Sequence, residues 1–574
     1  MRRELLAVAV VLCSATELAA QVPTRPMTAA DSGRQRARLD SVRRAQAAPK
    51  VYTHADTLRG SFTTPGRAWW DVTFYDLHVA IDPKDSSIAG YNGISYRVLK
   101  PSTEMQIDLM TPLEVDSMVQ DGRAVRFRRD SNAFFATLAA PQRAGEHKTI
   151  TVYYHGKPRV ATNPPWQGGF TWTSDSLGRP WVVTTDQGMG ASVWWPNKDT
   201  QADEPDSQRI ALTLPDPMMD VSNGRLRNTV HNTNGTTTYE WFVTNPINNY
   251  AIAVAAGTYA HYTESFNGLK GKLTLDFWPM DYNLAAAHRQ FVQARSMLQC
   301  FEYWFGPYPW YADGYKLLEV PNTGMEHQSA VSYGNWYQNG YRKRGTGLAL
   351  QWDFIIVHES AHEWWGNNIT AKDQADMWVH ESFANYSEQL YTECQFGKDA
   401  AAQWLIGNRR GVRNDRPIIP PYEVNAQGSG DMYGKGGQLL HTIRHIVDDD
   451  DKWRAILHGL QQTFGRQTVM GEQIEEYISR QAGMDLSKVW DQYLRTTMVP
   501  TFEYRFANDT LRYRWTSVVP GFNMPLKVTL DWPEFAVIHP TEAWQASLLR
   551  LANSADFKVD QNFYVITKDV TAPQ

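Results

Sequence analysis

Cysteine is scarce in this chain. Its 574 residues hold 3 cysteines, and Cys13 falls in an N-terminal stretch that reads as an export signal. Only Cys300 and Cys394 are left to the mature protein, so a disulfide framework is excluded as the main source of stability. Both lie on segments that read as helices of one domain, and the choice between one bridge and two buried thiols stays open. Long apolar runs are missing as well. Leu5 to Leu12 follows Arg2 and Arg3 and precedes the small residues Ala19 and Ala20, the order of a signal peptide over residues 1–20. That run is too short to cross a bilayer, and no later stretch is better suited. The sequence therefore predicts an exported protein, periplasmic or extracellular, with no membrane span. A net charge of -5 gives no case for nucleic acid as a partner, and oligomeric state is not legible.

Hydrophobic residues make up 42% of the chain and charged residues 20%, which describes a globular protein long enough for three or four domains. Residues 21–66 are polar and basic, with Arg34, Arg36, Arg38, Arg43 and Arg44, and read as a solvated leader. From 67 to 262 the apolar period is two: Leu77, Val79 and Ile81 alternate with polar or small neighbours, as do Ile150, Val152 and Tyr154. Strand-like runs recur at 210–214, 239–243 and 250–256 with Asn-Gly turns between them, so this is an all-β domain. Residues 263–500 turn mainly helical, with one helix expected over 285–305 and a strand over 316–320. Residues 501–574 return to alternation at Phe502, Tyr504 and Phe506, and suit a small β sandwich.

The chemistry concentrates between Ile355 and Glu381. His358 and His362 are four residues apart, so a helix puts both imidazoles on one face where they can share a metal ion. Glu359, turned about a quarter-circle away, suits a general base acting on a water. Zinc at a catalytic site takes three protein ligands and leaves a fourth position open. Glu381, on a second helix expected to open near Asp376 and stop at Gly397, is the third candidate. Upstream, Glu326 follows Gly324 and Met325 at the end of a strand and suits the binding of a cationic N-terminus. Tyr433 opens a helix after a glycine-containing loop, from which a phenol can donate to an oxyanion. Asp448 to Asp451 reads as acidic residues at a helix start. His441 and His445, also four apart, lack a nearby acidic partner and read as ordinary helix residues.

These residues resemble the zinc aminopeptidases that include aminopeptidase N and leukotriene hydrolase, the gluzincin group. The match rests on His358-Glu359-x-x-His362 with Glu381 after a gap of eighteen residues, on Gly324-Met325-Glu326 as the exopeptidase motif, on Tyr433-Gly-Lys435-Gly436, and on Gln187 of the β domain as a substrate-binding glutamine. The resemblance implies a multidomain α+β fold: an N-terminal β saddle, a thermolysin-like catalytic domain and a small C-terminal β sandwich. It also implies one zinc ion on His358, His362 and Glu381, with Glu359 and Tyr433 catalytic and Glu326, Gln187, Gly324 and Met325 at the substrate. Two positions depart from the pattern. His327 and His380 stand where relatives carry asparagine, and neither is expected to bind zinc; they bear on positioning and pH dependence. The expected activity is removal of N-terminal residues from peptides with a free N-terminus. An endopeptidase or dipeptide-releasing enzyme on the same site is the nearer rival, which Glu326 argues against. A retired peptide-binding module is the further one, which the intact catalytic set argues against.

Overall fold

The computed structural model describes residues 51–342, 347–531, 533–551 and 556–571. The expected signal peptide and the basic run Arg34 to Arg44 lie outside the described residues. From Tyr52 onward the chain forms one compact unit, and no described helix is long and apolar enough to cross a membrane.

The last residues assigned to the expected leader, up to 66, are structured. Residues 54–60 form a helix, α1 (His54–Gly60), opened by a reciprocal cap in which Thr53 Oγ1 accepts from the Asp56 amide at 3.3 Å and Asp56 Oδ2 accepts from the Thr53 amide at 2.8 Å. The fully buried Arg67 guanidinium then donates to the carbonyls of Arg59 and Ser61 at 2.7 and 2.8 Å and to Asp108 at 2.5 Å. A buried cation is costly without partners, and those contacts tie the segment to the body.

Beyond it, alternation sets the β-rich N-terminal region. The long strand Trp70–Asp82 buries Leu77, Val79 and Ile81. It pairs antiparallel with Ser87–Val98 and parallel with Ser207–Pro215 inside an eight-stranded sheet. Residues 250–256 are not one strand. Asn249–Ala251 is a 3-10 turn whose preceding Asn248 side chain accepts from the Tyr250 amide, and only Ala255–Gly257 is extended.

The helical region is built on a five-stranded sheet in the order Tyr262–Gly268, Gly271–Trp278, Tyr315–Glu319, Val331–Tyr333, Gly324–Met325. The helix expected over 285–305 is two, α2 (Leu284–Gln290) and α3 (Gln293–Phe305). Between them buried Phe291 packs edge-on to Tyr333 with ring centres 4.9 Å apart. Next come α4 (Phe354–Ala361), α5 (Trp378–Phe396), α6 (Lys398–Gly407), α7 (Asp431–Val447), α8 (Asp450–Phe464), α9 (Gly471–Ala482) and α10 (Ser487–Leu494). Asp449 caps α8 by accepting from the Lys452 amide at 2.9 Å. His441 is held between Gln389 and Asn562 at 2.7 and 3.0 Å. The C-terminal strands form a four-stranded sheet and a hairpin. Their Phe502, Trp515, Leu526 and Val528 belong to the same apolar core as the helices.

The thiol question resolves as a bridge: Cys300 of α3 is bonded to Cys394 of α5, with Cα atoms 6.1 Å apart and a sequence separation of 94. Closing so long a loop restricts the unfolded chain. The Cys300→Ser/Cys394→Ser variant is expected to lose about 2–4 kcal/mol of stability, read as a lower Tm than the oxidised protein, with the wild type shifting the same way after reduction.

Candidate active site

The site is assembled on α4 and α5. Asp353 caps α4, accepting from the Ile355 and Ile356 amides at 3.1 and 3.4 Å, so the helix starts one turn before His358. It stops at Ala361 with His362 as the last turn, and the following segment Glu363–Asn367 leaves helical geometry at Trp365 and Gly366. That departure has a use. The Trp365 carbonyl accepts from His362 Nδ1 at 2.9 Å, and Glu388 of α5 accepts from His358 Nδ1 at 2.8 Å. With both Nδ1 atoms donating, both Nε2 lone pairs are free for a metal.

Those Nε2 atoms lie 3.6 Å (His358) and 3.4 Å (His362) from Glu381 Oε2. Two ligands at about 2.0–2.1 Å from one tetrahedral zinc sit roughly 3.3–3.4 Å apart. The triangle matches that edge, its donors are buried, and Glu381 Oε2 has no hydrogen-bond partner. A buried carboxylate oxygen left without a partner is what a metal position requires, so the residues present fit zinc.

Around the triangle lies a cavity of about 460 Å³, lined among others by Gln187, Gly324, Met325, Glu326, Glu359 and Tyr433. The short strand Gly324–Met325 runs hard against α4: a Cβ on Gly324 would stand 2.8 Å from Ile355 Cγ2 and 2.9 Å from Glu359 Oε1. Only glycine lets the strand deliver Glu326 beside Glu359. Glu326 is buried and accepts from the Tyr250 hydroxyl at 3.2 Å. Glu359, desolvated by burial and only partly compensated by His358, has its carboxyl held above the ordinary range. The Tyr433 ring lies over His358 with centres 6.0 Å apart. Burial, with the Glu381 and Glu326 carboxylates adding to it, holds its phenol well above the ordinary range, so it stays a donor. α7 brings Tyr433 there by packing closely on α5, where a Cβ at Gly436 would meet Ser382 Oγ at 1.9 Å.

Gln187 comes from the β-rich region, as expected, but its amide nitrogen donates to Glu381 Oε1 at 2.7 Å. It therefore steadies the third metal donor and keeps its amide oxygen as an acceptor. His380 and His327 are not among the metal donors. His380 Nε2 accepts from the Ala371 amide at 2.8 Å, and His327 Nδ1 lies 2.9 Å from Ser332 Oγ. Sequence reasoning missed Glu388 and Tyr250. Glu388 had a signal, since it stands two helical turns after Glu381 on α5; Tyr250 lay in a stretch read as a strand.

Comparison with known proteins now bears on this arrangement. Residues 290–493 match the model of the peptidase family M1 domain. Over that stretch the chain is similar to the peptidase family M1 domain. Similar M1 chains include aminopeptidase N of Lactococcus lactis subsp. lactis, 26% identical over 216 residues, which is 34% of this chain and 24% of that protein. The probable aminopeptidase 1 of Saccharolobus solfataricus is 22% identical over 42% of this chain and 32% of its own length. The matched stretch thus spans a third or less of those relatives. In fold, the M1 zinc metallopeptidase of Deinococcus radiodurans aligns with a TM-score of 0.65 and 21% identity, covering 78% of this chain and 98% of that one. A mutant of it has been solved bound to Tyr-Ser-Ala substrate, with a TM-score of 0.64 and 20% identity over 78% of this chain and 98% of that one.

Two outcomes follow for this site. Replacing Glu388 by Ala removes the acceptor that orients His358, and zinc affinity is expected to fall about 10- to 100-fold, read by chelator competition. Burial lowers the pKa of His327 to about 3, whereas the unfolded side chain takes up its proton near 6.5. Between those values the unfolded state binds more protons, so the stability contributed by the neutral ring is present above about pH 6.5 and lost as pH falls. The Tm difference between pH 7 and pH 5 is expected to be smaller in His327→Asn than in the wild type.

Proposed function

We propose that the chain is an exported zinc-dependent aminopeptidase that removes N-terminal residues from peptides. The observation that carries the reading is the charge of the cavity. Glu326, Glu359, Glu381 and Glu388 line it, and among the described residues no Lys or Arg does. Buried carboxylates without a counter-charge are costly. A metal ion answers those at the triangle, while Glu326 stands outside it, beside Tyr250. The α-ammonium of a peptide brings the missing charge to that place; an internal peptide segment does not. Export is supported by the order of residues 2–20 and by the Cys300–Cys394 bridge, since such bonds persist in oxidising compartments.

Zinc held by His358, His362 and Glu381 would supply Lewis acidity and lower the pKa of a water toward neutrality. The side chains around it do the remaining work. Glu359 takes the proton of the attacking water and passes it to the leaving amine. The Tyr433 hydroxyl donates to the scissile carbonyl oxygen as that oxygen gains charge. Glu326 and the Gln187 amide oxygen hold the ammonium, which fixes the cut one residue from the end.

Aminoacyl anilides compared with their N-acetylated counterparts, each with and without a zinc chelator, test the reading. Chelator-sensitive cleavage of the free-amine substrates alone is expected, whereas equal cleavage of blocked substrates would remove the role of Glu326 and favour an endopeptidase. Tyr433→Phe is expected to lower kcat by about 100- to 1000-fold with KM little changed.

A further inference from the structure

We infer that residues 53–67 are a positioning clasp: they hold the loop after Gln187 and the loop before Tyr433 in register with one another, and so set the geometry of the reaction from outside the cavity. The inference rests on the aminopeptidase reading for its kinetic consequence but on its own contacts for its structure.

The segment touches both loops. On the side of the β-rich region, Arg59 Nε donates to Asp199 Oδ2 at 3.3 Å, and the same carboxylate accepts the Ala191 and Ser192 amides at 3.2 Å each. Those amides belong to the turn that follows Gln187. Gly190 has room for no side chain there, since a Cβ would stand 2.0 Å from the Arg59 guanidinium and 2.4 Å from Asp199. On the other side, Ser61 Oγ and Thr63 Oγ1 both donate to Glu423 Oε2, at 2.5 and 2.7 Å. The Asn425 amide donates to the Asp56 carbonyl at 3.1 Å, and a Cβ on Gly60 would fall 2.3 Å from the Val424 carbonyl carbon.

Glu423 is an unusual residue to hold. It adopts a left-handed backbone (φ 57°) and its own amide donates to Asp373 Oδ2 at 2.7 Å. A non-glycine residue in that region persists only where its surroundings over-determine it. From this fixed point the chain needs few residues to reach the site: Gln427 lies against Gly188, whose Cβ would be 2.8 Å from Gln427 Nε2, and Tyr433 follows in the first turn of α7. The clasp, Glu423 and the two loops therefore form a closed circuit around Gln187 and Tyr433. Loosening it at Ser61 and Thr63 frees one arm of the circuit without touching any group that lines the cavity.

Misplacement of a reacting group by about 1 Å costs up to ~100-fold in rate, so a loosened loop shows in kcat before it shows in folding. The test uses the full chain with zinc bound and compares Ser61→Ala/Thr63→Ala with Ser61→Thr/Thr63→Ser, which keeps both hydroxyls. Two readouts are taken: kcat and KM on aminoacyl anilides, and hydrogen exchange of segments 187–192 and 424–433. The alanine pair is expected to lower kcat about tenfold, to speed exchange in both segments, and to keep its zinc; the hydroxyl-retaining pair is expected to restore both readouts toward wild type. Unchanged exchange in 424–433 overturns the clasp whatever the activity. Faster exchange with unchanged kcat overturns its positioning role. A wild type inactive on every anilide would sink the aminopeptidase reading, and the exchange comparison alone would then decide the clasp.

Discussion

Negative charge kept out of water is the constraint on which this structure turns. Glu326, Glu359, Glu381 and Glu388 face one cavity, and burial raises the cost of each ionised carboxylate. The fold answers with donors placed one by one: a phenol from Tyr250, an amide from Gln187, two imidazoles set by their far nitrogens. On the aminopeptidase reading, what binds, a metal ion and a peptide's ammonium, brings further positive charge to these carboxylates.

The metal triangle is legible in the sequence because helical spacing alone puts His358 and His362 on one face, and the length of the link to Glu381 allows a second helix to return. What orients the triangle is less legible. The carbonyl that fixes His362 belongs to Trp365, where the backbone leaves the helix (φ -121°, ψ 92°); Gly366 announces the break, and nothing in the sequence says which carbonyl turns toward His362. Tyr250 escapes for a different reason. Its neighbourhood alternates like a strand, yet Asn248 caps a 3-10 turn there instead, a case of side-chain hydrogen bonding overriding period. The helix α1 sits between these cases. Its cap, Thr53 with Asp56, is visible locally, but its docking depends on partners as far as 362 residues away, and composition alone reads the same residues as solvated.

The broad architecture follows from periodicity, and the boundaries blur where cores are shared. The C-terminal strands read as a separate sandwich, and they do form their own sheets. Their inward residues nevertheless continue the apolar core of the helices, from Leu273 to Tyr564. Alternation reports which face of a strand is buried, and is silent on what buries it.

A similar sharing joins the two larger regions. Leu318, Val320 and Ala330, from the sheet that carries Glu326, lie in the apolar core of the β-rich region. A rigid-body hinge between the regions would have to pull those side chains out of their packing. On the aminopeptidase reading, peptides then reach the site without such a hinge, past Pro165 and the exposed Trp166 that line the cavity. On that reading the bulk a chain end carries past those two residues, rather than a movement of whole regions, selects among peptides.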